Sequence, residues 1–505
     1  MNSPAATRRA LAKGAIGTAG IVFMVVAGAA PLTSMASTIP LSLAFGAGSG
    51  TIGLILVALA LLGLYAVGYV AISRHVVNAG AAYAFVGYGL GRTAGAAVAM
   101  VLVVTYNLAA AAMAAIAGYF SDQLVSTYAG VDLPWWIYTA TILAVVAILG
   151  YRGIADAKKV SATISCIGFS IMVLLGACVF ARNPGIALVD AIPIDQPAEA
   201  VTLSIVFIVL SFAGFEATAV YGEETTVNRS VGKATYISLA ILGVVYLFST
   251  MSLVAAFTDV QAVAAEDPGA LLLLAAGENI GSWAVPVISA ATVLSFLAGA
   301  IAFHNNAVRY MFSLGRSGYL PEVLSRTSRK GIPSVSVTCQ LLVMVAAIAP
   351  FAVADMDPLT QMTPAIAGVN TLAFISSLAL LSLSVLVSSL RGRLGDASLF
   401  VGIIAPALAI AGFLVISYEI LTNYTYLAGS DSVVVRLMPC VPLVAAIYAV
   451  VVSRKQARER PLHEGESSSV PVPEAVGTPG ETQSAASAPV KSAASASVNL
   501  EKPVD

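Results

Sequence analysis

Twelve long apolar runs divide this 505-residue chain, and no other feature leaves it so few ways to fold. A hydrocarbon core of ~30 Å is crossed by about 20 residues of helix. Inside lipid an unpaired N–H or C=O finds no water, so only helices and closed barrels can span it. The alternating ten-residue pattern of barrel strands is absent. The runs fall at 17–45, 50–72, 95–120, 134–150, 160–181, 200–221, 234–257, 285–310, 333–353, 364–390, 398–418 and 434–453. They predict an all-α integral membrane protein with about 12 transmembrane helices. The first run follows Arg8, Arg9 and Lys13, as a signal peptide would, but it is too long for one and further spans follow it.

Composition enters where surface has to be covered. Hydrophobic residues make up 58% of the chain and charged ones 10%, against the roughly 25% charge typical of a soluble domain, so the outer surface must face lipid. The placement of the 25 Lys and Arg sets the expected orientation. With the N-terminus in the cytoplasm, only Arg182 and Arg436 fall outside, which leaves 25 − 2 = 23 inside. Both termini are therefore expected in the cytoplasm, in a multi-pass protein of the cell membrane. Asp122, Asp132, Asp259, Glu266, Asp267, Asp355 and Asp357 map to the outer side. They are either solvated loop groups or a vestibule that concentrates cations.

Three regions are expected: a cytoplasmic tail at 1–15, the membrane domain at 16–455, and a disordered cytoplasmic tail at 456–505. From Pro461 onward the chain has no aromatic residue, and it is too poor in apolar surface to offset its ordering entropy. Cys166, Cys178, Cys339 and Cys440 show no metal or redox spacing and read as small helix residues. Without a phosphate loop, a dinucleotide fingerprint or a zinc motif, no cofactor, metal, nucleic acid or enzyme chemistry is expected.

Interrupted membrane helices carry the functional signal. In the first run, Gly28, Ala30 and Pro31 fall near the middle. Pro31 has no N–H and its ring clashes with the preceding turn. A half-helix starting near Thr33 would aim its first amides at the gap, a seat for a carboxylate. In the sixth run Glu216 is the one carboxylate deep in a predicted span. Burying it costs at least ~2.5 kcal/mol on insertion scales, which an ion, a proton or a polar partner must offset. A purely structural tie between helices remains the alternative. Breaks in spans one and six point to two inverted five-helix repeats, plus two further helices, around a site near the bilayer centre.

At this point the chain resembles the amino acid–polyamine–organocation family over residues 16–455. Asn78-Ala79-Gly80-Ala81-Ala82-Tyr83 is similar to its P-x-G-G-x-Y loop. Phe212-Ala213-Gly214-Phe215-Glu216, followed by Glu223 and Glu224, is similar to its F-x-G-F/V-E stretch. The fullest match runs from Asn306 to Arg309, through Leu314-Gly315-Arg316-Ser317-Gly318-Tyr319-Leu320-Pro321, to Lys330-Gly331-Ile332-Pro333. The resemblance implies the fold known as LeuT-type, 5+5 helices plus two, with alternating access as a symporter or antiporter.

It also implies a substrate site shared by the first, third, sixth, eighth and tenth helices. Its residues would be Ala30 and Pro31 at the first break, Thr33, Ser34 and Met35 in the family's G-S-G cradle, Asn107, Ala213, Gly214 and Phe303. Both cradle glycines are replaced here, so a polyamine or other organic amine stands beside an amino acid as substrate. The lysine of some proton-driven members has no counterpart at Ile167-Gly168-Phe169-Ser170. A coupling proton would then have to use Glu216 or His304, the latter also readable as a structural histidine.

Overall fold

The computed structural model describes residues 17–76, 82–152, 154–183, 196–218, 229–328, 331–395, 397–429 and 433–459. The expected N-terminal tail and nearly all of the C-terminal one lie outside them. So do Asn78, Ala79, Gly80, Ala81, Glu223, Glu224 and Lys330 of the sequence motifs.

All regular structure among the described residues is helical. Eleven segments are long and apolar enough to cross a membrane: Thr18–Phe45, Gly48–Ser73, Arg92–Ala129, Trp135–Arg152, Thr163–Arg182, Ala198–Thr218, Ser230–Ala256, Ala284–Arg316, Ser334–Val353, Pro358–Leu390 and Phe400–Thr422. The twelfth expected run is the helix Cys440–Glu459. The third and eighth spans overshoot their apolar runs, with 38 and 33 residues. At 1.5 Å per residue the third is ~57 Å long, nearly twice the hydrocarbon core. Its helix continues past Phe120 through Ser121, Asp122 and Gln123, a polar stretch that hydropathy does not register. These two long helices lie along each other and form the backbone of the bundle. None of the four cysteines is paired, and Cys166 and Cys440 are exposed on its outer face.

The first span is not one helix but three: Thr18–Ala29, Pro31–Ala36 and Thr38–Phe45. Ala30 separates the first two in a left-handed conformation, φ 45° and ψ 64°. An L-residue held there costs about 1–2 kcal/mol. Pro31 sits at the first position of the next helix, where a missing N–H leaves no bond unmade. The sixth span breaks in the same manner. Its helix Ala198–Ser211 ends, Gly214 takes φ 109°, and a single tight turn reaches Thr218.

The two breaks lie against each other, since a Cβ on Gly214 would come 3.8 Å from the Ala29 backbone. Beyond the breaks the same two spans are laced by hydroxyls. Thr38 Oγ1 meets Ser211 Oγ at 2.7 Å, and Ser42 Oγ donates to Ser204 Oγ at 2.8 Å. The Ala47 N–H also donates to Ser204 Oγ, at 2.7 Å. Gly46 permits this approach, because a Cβ there would overlap Ser204 Oγ at 2.2 Å.

Candidate substrate site

Where the two breaks meet, a cavity of about 50 Å³ opens between five spans. One water needs roughly 10–15 Å³, so the space holds a few waters or the core of a small solute. The third span contributes Ala109, Ala112, Met113 and Ile116, and the tenth contributes Thr363, Ile366, Ala367 and Asn370. Each set is spaced i, i+3, i+4, i+7, one face of a straight helix. The first span adds Ala29, Thr33, Ser34, Ser37 and Thr38, the sixth Leu210, Ser211 and Ala213, and the eighth Phe303. None of these lining residues carries a charge.

Small residues on the third span and hydroxyls on the first make the room, and most of the hydroxyls are spent on the protein itself. Thr33 Oγ1 donates to the Ala30 carbonyl at 2.7 Å, and Ser37 Oγ to the Thr33 carbonyl at 2.7 Å. Ser211 Oγ donates to the Phe207 carbonyl at 2.9 Å, and Thr363 Oγ1 to the Pro358 carbonyl at 2.7 Å. The amides after the break are partly spent too. The half-helix begins at Pro31, which has no N–H, runs only six residues, and turns the Thr33 N–H back to the Ala30 carbonyl at 2.9 Å. Thr33 therefore presents an oxygen rather than an amide to a solute.

From the cavity, aromatic contacts lead to Glu216. Phe303 stacks on Tyr106 with ring centres 6.2 Å apart, and Tyr106 packs on Tyr310 at 5.5 Å. The Tyr106 hydroxyl donates to Glu216 Oε1 at 3.4 Å, while Oε2 accepts the Gly214 N–H at 2.8 Å. The Tyr69 hydroxyl donates to the Glu216 carbonyl. No basic side chain pairs with this buried carboxylate among the described residues. The break thus supplies its own compensation, because unwinding at Gly214 frees the N–H that the carboxylate accepts.

The residues singled out in the sequence divide into two groups. Thr33, Ser34, Ala213 and Phe303 line the cavity, and Ala30, Pro31 and Gly214 form the breaks beside it. Glu216 lies one layer away, behind Tyr106. Met35 is fully buried in the core and does not line the cavity. Asn107 is turned off the lining face of the third span and donates to the Val103 carbonyl at 2.7 Å. His304 follows Phe303 by one residue, a rotation of about 100°, and so faces away. Its Nδ1 meets Gln340 Oε1 on the ninth span, and its Nε2 packs against Gly150 of the fourth.

Ser37, Thr38, Ser211 and the tenth-span residues were not found from sequence. The one available signal was Asn370, a polar residue in mid-span judged by the same rule that exposed Glu216.

A bundle of membrane-length helices with paired breaks around an uncharged internal cavity defines a polytopic membrane protein built to enclose a small solute. Residues 15–452 match the family model described as amino acid permease, and the chain belongs to that family. It is similar to the branched-chain amino acid permease BcaP of Bacillus subtilis (strain 168), 26% identical over 309 residues, 56% of this chain and 63% of that protein. It is also similar to the low-affinity putrescine importer PlaP of Escherichia coli (strain K12), 24% identical over 269 residues, 51% of this chain and 57% of that protein. The chain thus spans only somewhat more than half the length of the curated relatives it matches.

Proposed function

We propose that the chain is a secondary active transporter that moves a neutral amino acid across the cell membrane by alternating access. The observation that carries this reading is the cavity itself, set at the junction of two broken helices and lined without a single charged side chain. A zwitterion has no net charge to compensate there, whereas a diamine would bring two ammonium groups into a space with no carboxylate. Alanines on the third span and Ile366 on the tenth favour an aliphatic side chain, in keeping with the name of the BcaP relative.

In this reading the breaks at Ala30 and Gly214 are the hinges, and substrate seated between them ties the first and sixth spans to the third, eighth and tenth. Glu216 is the coupling group. Protonated, it keeps its carbonyl oxygen for the Gly214 N–H but turns the other oxygen into a donor, so the bond with the Tyr106 hydroxyl must reverse or break, and proton uptake thereby alters the contact between the sixth and third spans. The termini face the cytoplasm, as the basic residues favour. His304, away from the cavity, is assigned a packing role.

One observation favours a second reading. Glu216, buried with four tyrosines nearby and no cationic partner among the described residues, would suit an amine, and the relative PlaP is named a putrescine importer. Uptake into proteoliposomes separates the two. Labelled leucine, alanine and putrescine are supplied under an imposed proton gradient and, separately, a sodium gradient. Accumulation of a neutral amino acid driven by the proton gradient supports the proposal, and accumulation of putrescine alone replaces it with the amine reading.

A further inference from the structure

We infer that Asn370 of the tenth span is a specificity-determining residue whose side-chain amide pairs with the amino group of a neutral amino-acid substrate. The inference rests on the transporter reading above. Asn370 projects from the cavity face of the tenth span, one turn beyond Ile366 and Ala367. It is 3% exposed, and its buried Oδ1 has no hydrogen-bond partner among the described residues.

No other polar side chain of the lining has a buried atom left unpaired in this way. Thr33, Ser37, Ser211 and Thr363 bond to main-chain carbonyls, and Thr38 bonds to Ser211. The next residue shows what a helix-tying polar group looks like here. Thr371 donates its hydroxyl to the Val206 carbonyl of the sixth span at 3.2 Å. Among the described residues Asn370 makes no such tie, so no structural bond there accounts for it.

A buried amide oxygen left without a partner is unfavourable, and a polar group of the solute is the partner the cavity can admit. Asn370 Oδ1 is a carbonyl acceptor with two lone pairs, suited to an ammonium N–H, while most of the hydroxyls around it have already placed their protons. Being neutral, the amide can orient an ammonium but cannot offset an uncompensated positive charge. It therefore selects a substrate whose amino group is balanced by its own carboxylate over the corresponding decarboxylated amine.

The test is leucine uptake by proteoliposomes carrying wild-type protein, Asn370→Ala, Asn370→Ser or Asn370→Asp, with 3-methylbutylamine, decarboxylated leucine, as competitor. Asn370→Ala is expected to raise the leucine KM about tenfold, equivalent to about 1.4 kcal/mol. Asn370→Asp adds the missing negative charge and is expected to strengthen competition by the amine at least about tenfold relative to leucine. Size-exclusion profiles establish folding. KM and competition within twofold of wild type in folded Ala and Asp variants would overturn the inference. If Ala fails to fold, Ser carries the KM arm, and misfolding of both marks Asn370 as structural and equally overturns it. A wild-type protein that carries no neutral amino acid fails the parent reading instead, and the same variants are then scored on the solute it does carry.

Discussion

Two glycine-to-alanine substitutions, 186 residues apart in sequence (214 − 28), should shift stability in opposite directions, because only one of these glycines makes a helix break possible. At Gly214 a Cβ meets nothing closer than 3.8 Å, so sterics do not oppose Gly214→Ala. The backbone does, since φ is 109° and an L-residue held in so sparse a region costs about 1–3 kcal/mol. Relaxing that angle would turn the Gly214 N–H away from Glu216 Oε2, now 2.8 Å distant, and leave the buried carboxylate one donor short. Gly28 lies in the helix Thr18–Ala29, with ordinary φ and open space around its Cβ position. There Gly28→Ala should gain about 0.5–1 kcal/mol of helix propensity. The pair should therefore separate by roughly 1.5–4 kcal/mol, the sum of the two effects. Thermal denaturation of detergent-purified protein, followed by size-exclusion fluorescence, reads the order directly. Gly214→Ala should melt below wild type and Gly28→Ala at or above it, with uptake impaired only in the former. Equal melting temperatures, or a Gly28 variant less stable than the Gly214 variant, would refute the account of the break.

Other substitutions test the remaining parts. Glu216→Gln keeps the shape, removes the buried charge, and can still accept the Gly214 N–H while donating its own amide N–H to the Tyr106 oxygen, so stability should stay within about 1 kcal/mol of wild type. If wild-type uptake rises as external pH falls, through protonation of Glu216, the Gln variant should lose that rise while retaining exchange; a pH profile matching wild type would leave Glu216 only structural. Gly46→Val should destabilise strongly or block insertion, since even a Cβ lies 2.2 Å from Ser204 Oγ; normal expression and melting would show that the loop is free to move. A cysteine introduced at Ser121 should react with an impermeant thiol reagent on intact cells and one at Ser328 should not, on a background lacking native cysteines. Labelling at Ser328 alone would invert the proposed orientation.

The sequence exposed the spans because crossing lipid demands a length that few other structures need. It did not expose their ends, since helices such as Arg92–Ala129 continue into polar sequence once tertiary contacts hold them. Pro31, Gly214 and Glu216 were legible for one reason: each is costly in a membrane helix and so needs a local explanation. The second interruption, at Ser37 with φ −138°, carried no such marker. His304 is next to Phe303 in sequence but faces elsewhere, because neighbours on a helix point about 100° apart, and Asn107, which the resemblance implied as a site residue, turns its amide back to the Val103 carbonyl. Asn370 would have been found had the rule applied to Glu216 been extended from charged to merely polar side chains. Which helical faces converge on the cavity is a tertiary property, visible only once the five spans are assembled.

The central claim is that the cavity takes a zwitterion rather than a cation, and competition for leucine uptake by wild-type proteoliposomes tests it most directly. Leucine and 3-methylbutylamine differ only in the carboxylate, so their inhibition constants compare a net-neutral solute with a cationic one in the same uncharged space. The amine brings a net positive charge that no lining side chain offsets, and a penalty of only about 1 kcal/mol makes it compete about fivefold more weakly. An amine that competes as well as leucine, or better, would contradict the account and make the protein an amine transporter.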